Sequence, residues 1–166
     1  MTNKIRYSEV VYVDSTVNNK ELFLILNEWF AKTYKNSKNV IEFKDKEIGK
    51  IVGKANMSVN VRGLFGSGFS SHTERIQYLI SISVKNGKYK CEVTDFFPID
   101  DLGLGVNMGD CDDWLNNKKN IGFGVANKSK MLNDILNQID KKINDLLSEL
   151  KLFVKTKESE IKNDDW

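Results

Sequence analysis

The segment from Ile76 to Phe97 constrains the fold most, because it predicts two strands joined by a tight turn. Apolar side chains alternate with more polar ones along it, at Ile76, Tyr78, Ile80, Ile82, Val84, Tyr89, Cys91 and Val93. Asn86-Gly87 is the dipeptide most typical of a two-residue hairpin turn, in which both positions need positive φ. Such a turn pairs Lys85 with Lys88, so the apolar sides of both strands coincide. The segment therefore predicts an antiparallel hairpin with one buried face.

The chain before the hairpin alternates between strand and helix patterns. Strands are predicted at Ile5–Val13, Val40–Lys44 and Ile48–Val61. In the second of these, Ile41 and Phe43 are expected on one side of the sheet. Apolar residues recur every three or four positions from Lys20 to Tyr34, which is typical of an amphipathic helix, and Asn18 or Asn19 can cap it.

The chain around and after the hairpin is expected to hold two loops and a long helix. The glycine- and serine-rich segment Arg62–Ser71 and the long connection Pro98–Ala126 are interpreted as loops. A helix is predicted from about Asn127 to Lys155, where apolar residues follow a four-three repeat that Ile135, Leu147 and Val154 widen. Ile143 and Leu146 of this repeat are expected against the sheet. The order β-α-β-β-β-β-α then predicts an α+β fold, with an antiparallel sheet and two helices on one face.

Bulk properties are those of an ordinary globular domain. The chain has 166 residues, 40% hydrophobic and 29% charged, with a net charge of +2. We expect one domain over residues 1–156, a charged tail over 157–166, and a monomer or weak homo-oligomer. No apolar run spans a membrane, and no signal peptide is visible over Met1–Val13, so the chain as written is expected in the cytoplasm. The two cysteines, Cys91 and Cys111, are too few for a disulfide framework and are expected to be unpaired.

Several segments together resemble a bacterial domain of unknown function. They are Glu21–Phe23, Trp29–Ala31, Asp45–Lys54, Tyr78–Tyr89 and the closing Asp164–Trp166. That family is described as having a fold like the TATA-binding protein (TBP) and is common in gut-associated bacteria. The resemblance covers roughly Tyr7 to Phe97 and implies a TBP-like β-α-β4-α fold. It implies no catalytic or binding residues, and many members carry an export signal that is not visible in this chain.

Candidate catalytic, metal and nucleotide sites are weakly supported. His72 is the only histidine, and no nucleophile motif accompanies it, so a solvated loop histidine is the better interpretation. An acidic cluster lies before and within the long loop at Asp95, Asp100, Asp101, Asp110, Asp112 and Asp113. Its spacing does not match a calcium loop. Gly103–Gly105 and Gly122–Gly124 lack the strand-helix setting of a dinucleotide fingerprint. We therefore expect a protein without enzymatic activity, without a cofactor and without a metal site.

The outward face of the predicted sheet is the candidate for interaction. By alternation it carries the basic residues Lys44, Lys50, Lys54, Arg62, Arg75, Lys85, Lys88 and Lys90, with Glu42 and Glu92. The predicted interaction residues are Lys50, Val52, Lys54, Asn56, Arg75, Leu79 and Lys90. The expected function is non-enzymatic binding of a protein or a surface component. A small-molecule or lipid carrier with a cavity between sheet and helix, and a nucleic-acid binder on the lysine-rich face, remain as alternatives, the second disfavoured by the near-neutral charge.

Overall fold

The computed structural model describes residues 4–34, 37–65, 68–85, 87–99, 111–112 and 125–163. Its strands are β1 (Tyr7–Tyr12), β2 (Ile41–Asp45), β3 (Lys50–Phe65), β4 (Gly68–Val84) and β5 (Lys88–Pro98). Its helices are α1 (Asn19–Thr33), the single turn α2 (Ser37–Val40) and α3 (Val125–Asn163). The strands form one five-stranded sheet in the order β1-β5-β4-β3-β2, and the pairs β1/β5 and β2/β3 are antiparallel. The predicted α+β class is confirmed. None of the helices over these residues is long and apolar enough to cross a membrane.

The predicted hairpin between β4 and β5 is present. The Lys85 N–H donates to the Lys88 carbonyl at 2.9 Å, which closes the turn. Gly87 has a φ of +69°, the left-handed conformation that glycine adopts without a steric penalty. Inward-facing side chains of both strands are buried, among them Ile80, Ile82 and Cys91. Turn chemistry and alternation therefore determine this part of the sheet, as the sequence predicts.

The chain forms two compact units. The α1 unit contains residues 7–55, 79–93 and 144–166, and the Tyr78 unit contains residues 1–6, 56–78 and 94–143. Strands β3, β4 and β5 and helix α3 each contribute residues to both.

In the α1 unit, helix α1 begins at a capping box and packs on the inward face of the sheet. The Asn18 side chain accepts hydrogen bonds from the backbone N–H groups of Lys20 and Glu21, and the Glu21 carboxylate accepts one from the Asn18 N–H. These bonds satisfy donors that would otherwise be unpaired at the helix start. A Cβ atom built at Gly53 would lie only 2.9 Å from Cε1 of Phe30, so the helix approaches the β3 backbone closely. The buried residues of α1 are Leu22, Phe23, Ile25, Leu26, Trp29 and Phe30.

Helix α3 continues well beyond Lys155, where the sequence pattern places its end. It extends to Asn163, so the charged segment expected as a tail is helical over residues 157–163, and residues 164–166 lie outside the described part. The Lys162 ammonium bonds to the Asp14 carboxylate at 2.6 Å, and Glu158 accepts from the Asp14 N–H at 3.0 Å. The bond from Lys162 is the main reason that the pKa of Asp14 falls to about 2. Tertiary ion pairs thus hold a segment that has few apolar residues.

In the Tyr78 unit, the sheet and α3 share an apolar core. Tyr78 of β4 stacks on Phe96 of β5, with ring centroids 6.1 Å apart. Asp95 has a φ of +55°. Val93 and Phe96 are both buried although they are three residues apart, so the alternation of β5 is interrupted between them. Helix α3 contributes Met131, Leu132, Ile135, Ile139 and Ile143 to the buried set.

In the second half of α3, the residues that are buried differ in part from those that the four-three repeat predicts. Ile143 is fully buried, as predicted, but Leu146 is only half-buried and Leu147 takes the buried position. A four-three repeat advances 3.5 residues per turn, whereas a straight helix has 3.6, so the repeat drifts around the helix surface. The residue one position later then falls on the buried side, as Val154 does beside the half-buried Phe153.

The prediction that Ile41 and Phe43 share one side of the sheet is wrong. Ile41 pairs with Gly53, but Phe43 pairs with Val52, because the register shifts between them. Such a bulge inserts an extra residue and reverses the alternation. Phe43 is therefore 44% exposed on the outward face. Lys44 was expected on that face, but it pairs with the inward-facing Ile51 and donates to the Asn27 side chain of α1 at 3.1 Å.

The sequence predicts a loop over the glycine- and serine-rich segment Arg62–Ser71, but the structure has mostly strand there. Strand β3 continues to Phe65 and β4 starts at Gly68, so only residues 66–67 lie outside the described part there. Pairing between two long adjacent strands supplies backbone hydrogen bonds, which outweigh the weak strand propensity of glycine and serine. His72, expected in this loop, lies in β4, and its side chain is outside the described part.

Candidate interaction face

Strands β3, β4 and β5 place five of the predicted interaction residues on the outward face of the sheet in the α1 unit. They are Lys50, Val52, Lys54, Leu79 and Lys90. Each alternates with an inward-facing buried neighbour, such as Ile51 or Ala55, which assigns it to the opposite side. We call this set, with the neighbours described next, the outward face. The other two predicted residues, Asn56 and Arg75, are exposed and belong to the Tyr78 unit.

The structure adds apolar side chains to the outward face that sequence reasoning missed. Phe43 lies directly opposite Val52 across the β2/β3 pair, and Val10 lies opposite Lys90 across the β1/β5 pair. Val10 is 47% exposed and Tyr12 is 75% exposed. Alternation along β1 could have indicated the last two, but no sequence signal marks the bulge that exposes Phe43. The face therefore carries more apolar surface than the sequence suggested.

Most lysines of the outward face have a partner on the same face. Lys90 forms an ion pair with Glu92 at 3.0 Å, and Lys54 lies 4.0 Å from a carboxylate oxygen of Glu42. The Lys88 ammonium sits 5.3 Å from the centroid of the Tyr12 ring, a cation–π geometry. These charges are exposed, so each pair contributes little to stability. Their effect on recognition is larger, because neighbouring carboxylates reduce the positive potential of the face.

The acidic cluster does not form a metal site within the described residues. The Asp112 carboxylate accepts a hydrogen bond from the Ile5 backbone N–H at 2.6 Å, so it anchors the segment before β1. Asp95 is exposed at its positive-φ position. No group of three potential metal ligands is found among the residues that the structure covers. Asp100, Asp101, Asp110 and Asp113, and both glycine-rich segments, lie outside that part.

Two buried groups of β5 have strongly shifted proton affinities. Burial raises the pKa of the Cys91 thiol to about 12, with a smaller contribution from the charges of Glu9 and Glu92. Burial likewise raises the pKa of Tyr89. The Tyr89 hydroxyl is buried and has no hydrogen-bond partner among the described atoms. Both groups therefore stay protonated at neutral pH, which does not suit a nucleophile or a general base.

Cys111 is buried too, although its position in the acidic segment after β5 predicts a more accessible thiol than Cys91. It lies at 0% exposure in a helical segment of the Tyr78 unit, whereas Cys91 is 1% exposed in the α1 unit. We expect a disulfide reagent to modify both thiols of the native protein orders of magnitude more slowly than in denaturant, because reaction requires an exposed thiolate. Mass spectrometry of time points will assign the label to each site.

The control for this measurement is Ser148→Cys, at an exposed position of α3. That variant should label rapidly at the new site. Labelling of Cys91 at the rate of the new cysteine would contradict the inward orientation of β5.

Comparison with known proteins agrees with this architecture. The profile of the family described as "Domain of unknown function (DUF4468) with TBP-like fold" matches residues 7–97. The fold is similar to that of a TBP-like protein from Parabacteroides distasonis, with a TM-score of 0.60 and 18% identity over 92% of this chain and 93% of that one. It is also similar to a DUF4468 family protein from Bacteroides ovatus, with a TM-score of 0.60 and 15% identity over 89% of this chain and 86% of that one. No curated protein is significantly similar in sequence.

Proposed function

The chain belongs to the DUF4468 family, and we propose that it is a non-enzymatic binding domain that contacts a protein partner through the outward face of its sheet. The proposed contact residues are Lys50, Val52, Lys54, Leu79 and Lys90, with Asn56 and Arg75 of the Tyr78 unit as further candidates. The observation that carries the proposal is the exposure of Phe43 beside Val52, in a strand pair whose opposite side is covered by α1.

The chemistry of the outward face favours a protein over a polyanion. Phe43, Val10 and Tyr12 supply apolar and aromatic area, and residues of this kind are enriched at protein interfaces. Lys54 and Lys90 lie near them, each beside a glutamate. Charges of both signs at the rim of an interface disfavour partners whose charges do not match. The matching partner surface is an apolar patch edged by both signs of charge.

The test compares two serine substitutions that each remove an exposed apolar side chain. Phe43→Ser removes one from the outward face, and Leu152→Ser removes one, 66% exposed, from α3. Each variant and the wild type are immobilised and exposed to a lysate of the source cells, and bound proteins are quantified by mass spectrometry. We expect at least one protein to be retained by wild type and Leu152→Ser and to bind about tenfold less to Phe43→Ser. Equal loss from both variants, or no difference between them, would contradict the proposal.

The nucleic-acid alternative predicts a different response to salt. For duplex DNA of random sequence, we expect weak binding at low salt that disappears at physiological salt, because the face offers few unpaired cations. The measurement is fluorescence anisotropy over a salt series. Lys141→Glu with Lys142→Glu, at exposed positions of α3, changes the net charge as much as Lys54→Glu with Lys90→Glu and serves as the control. Tight binding at physiological salt that only the latter pair abolishes would favour nucleic acid instead.

The carrier alternative requires a hollow between helix and sheet. At Gly53 the α1 unit has contact instead, because Phe30 and Val40 both lie within 3.3 Å of where a Cβ atom would be. Close approach of a helix to glycine in a strand is a packing arrangement and leaves no space for a ligand at that point.

A further inference from the structure

Strand β3 has a long edge that no described strand covers. The β2/β3 pairing begins at Asp45–Lys50 and ends at Ile41–Gly53, whereas β3 itself continues to Phe65. In the sheet order, β4 lies on the other side of β3. Residues 56–65, in the Tyr78 unit, therefore present one edge without a strand partner among the described residues. Exposed strand edges are templates for pairing with another chain.

The side chain of Gln138 occupies part of this edge in place of a strand. Its Oε1 accepts from the Asn60 N–H at 2.8 Å, and its Nε2 donates to the Asn60 carbonyl at 2.8 Å. One primary amide thus makes both of the hydrogen bonds that a neighbouring backbone would make. Gln138 is 78 residues from Asn60 in the sequence and lies on α3. These two bonds show that the N–H and C=O groups of Asn60 point away from β4, towards the edge without a strand partner.

The direction of the Asn60 backbone determines that of its neighbours. Backbone N–H and C=O groups of a strand alternate between its two edges with a period of two residues, so those of Asn56 and Ser58 face the same edge as those of Asn60. A groove of about 440 Å³ runs beside this edge and is lined by Asn60, Asp134, Asn137 and Gln138. The space next to the edge is therefore open at Asn60, apart from the amide of Gln138.

The segment from Asn56 to Asn60 is self-complementary when two copies run antiparallel. Its sequence, Asn-Met-Ser-Val-Asn, is nearly palindromic about Ser58. A two-fold axis at Ser58 places Asn56 opposite Asn60, Met57 opposite Val59 and Ser58 opposite itself. The backbone N–H and C=O groups at the open edge of one copy then meet those at the open edge of the other. On one face of the paired strands, the polar side chains of Asn56, Ser58 and Asn60 meet. On the other face, the apolar side chains of Met57 and Val59 meet.

We propose that the β3 edge at Asn56–Asn60 pairs with the same edge of a second copy of this chain, and that the Gln138 amide competes with that pairing. The dimer forms when Gln138 releases the Asn60 backbone and the second copy takes its place. The second copy must replace the two hydrogen bonds of Gln138, so the dimer of the wild-type protein is weak.

The experiment measures the dimerisation constant by sedimentation equilibrium for the wild type and Gln138→Ala, up to about 1 mM protein. Because the alanine cannot make the two competing hydrogen bonds, we expect dimerisation to tighten by about tenfold. Asn137→Ala, which alters the same groove without touching the Asn60 backbone, should leave the constant unchanged.

Two additional substitutions in Gln138→Ala locate the contact. Ser58→Asp places two carboxylates against each other at the two-fold axis and should return the protein to monomer, most strongly at low salt. Ser58→Pro removes the central N–H on the open edge, where proline is tolerated, and should do the same. Circular dichroism of each variant verifies the fold, and Ser58→Asp alone decides the matter if the proline variant does not fold.

Several results would overturn the proposal. These are a Gln138→Ala protein that stays monomeric up to about 1 mM, a dimer that Ser58→Asp leaves intact, and assembly beyond a dimer, since a two-fold pair consumes the edge. A synthetic Asn-Met-Ser-Val-Asn peptide is added to Gln138→Ala as a last arm, with amide exchange of residues 56–60 as the readout. Protection by the peptide without self-association of the protein would assign the edge to peptide partners and reject the second copy.

Discussion

Replacing Ile143 by aspartate is expected to lower the free energy of unfolding by about 4 kcal/mol or more. Ile143 is at 0% exposure in the core of the Tyr78 unit. The substitution places a carboxylate where no water reaches it, and it also removes a branched apolar side chain that fills the core. Chemical denaturation monitored by circular dichroism will give the change.

Two aspartate substitutions on the same helix control for the helix propensity of aspartate. Leu146→Asp changes a half-buried residue and Leu152→Asp a residue that is 66% exposed. We expect the loss of stability to decrease in the order Ile143, Leu146, Leu152, with the last below about 1 kcal/mol. A loss at Leu146 as large as that at Ile143 would favour the four-three stripe of the sequence over the shifted stripe of the structure.

Gly53→Leu is expected to destabilise the α1 unit by about 3 kcal/mol, the upper end of the usual cost of overpacking. Even the first added carbon would lie 2.9 Å from Cε1 of Phe30, and it would lie 3.2 Å from Cγ1 and 3.3 Å from the backbone oxygen of Val40. A ring can shift, but the backbone oxygen cannot move without displacing α2. We therefore expect Gly53→Ala to destabilise as well, by about 1 kcal/mol.

A double substitution separates steric overlap from other effects of losing glycine. Phe30→Leu is a smaller side chain at the contact and should destabilise the protein by itself. Combined with Gly53→Ala, it should cost less than the sum of the two single changes. The smaller side chain at residue 30 relieves the overlap that the alanine Cβ causes, and that Cβ fills part of the space that the ring leaves. Strict additivity, or tolerance of Gly53→Leu without loss of stability, would contradict close packing and favour a hollow beneath the helix.

Features that depend on local chemistry could be predicted before the structure was known. The Asn86-Gly87 dipeptide predicts the hairpin, because asparagine and glycine are the residues that best tolerate the positive φ of such a turn. The box between Asn18 and Glu21 sets the start of α1 in the same way. From such signals and from periodicity, the order of elements and the α+β class could be predicted, as could the outward orientation of Lys50, Val52 and Lys54.

Features that depend on residues far apart in the chain could not be predicted in this way. The bulge that turns Phe43 outward and Lys44 towards α1 arises from pairing between β2 and β3, and the sequence of β2 alternates as if it were regular. The strand extension through the glycine- and serine-rich segment needs the neighbouring strand to supply hydrogen bonds. The Gln138 amide meets the Asn60 backbone because the fold brings α3 beside the β3 edge. Local propensities are worth a fraction of 1 kcal/mol per residue, so long-range hydrogen bonds and packing override them wherever the two conflict.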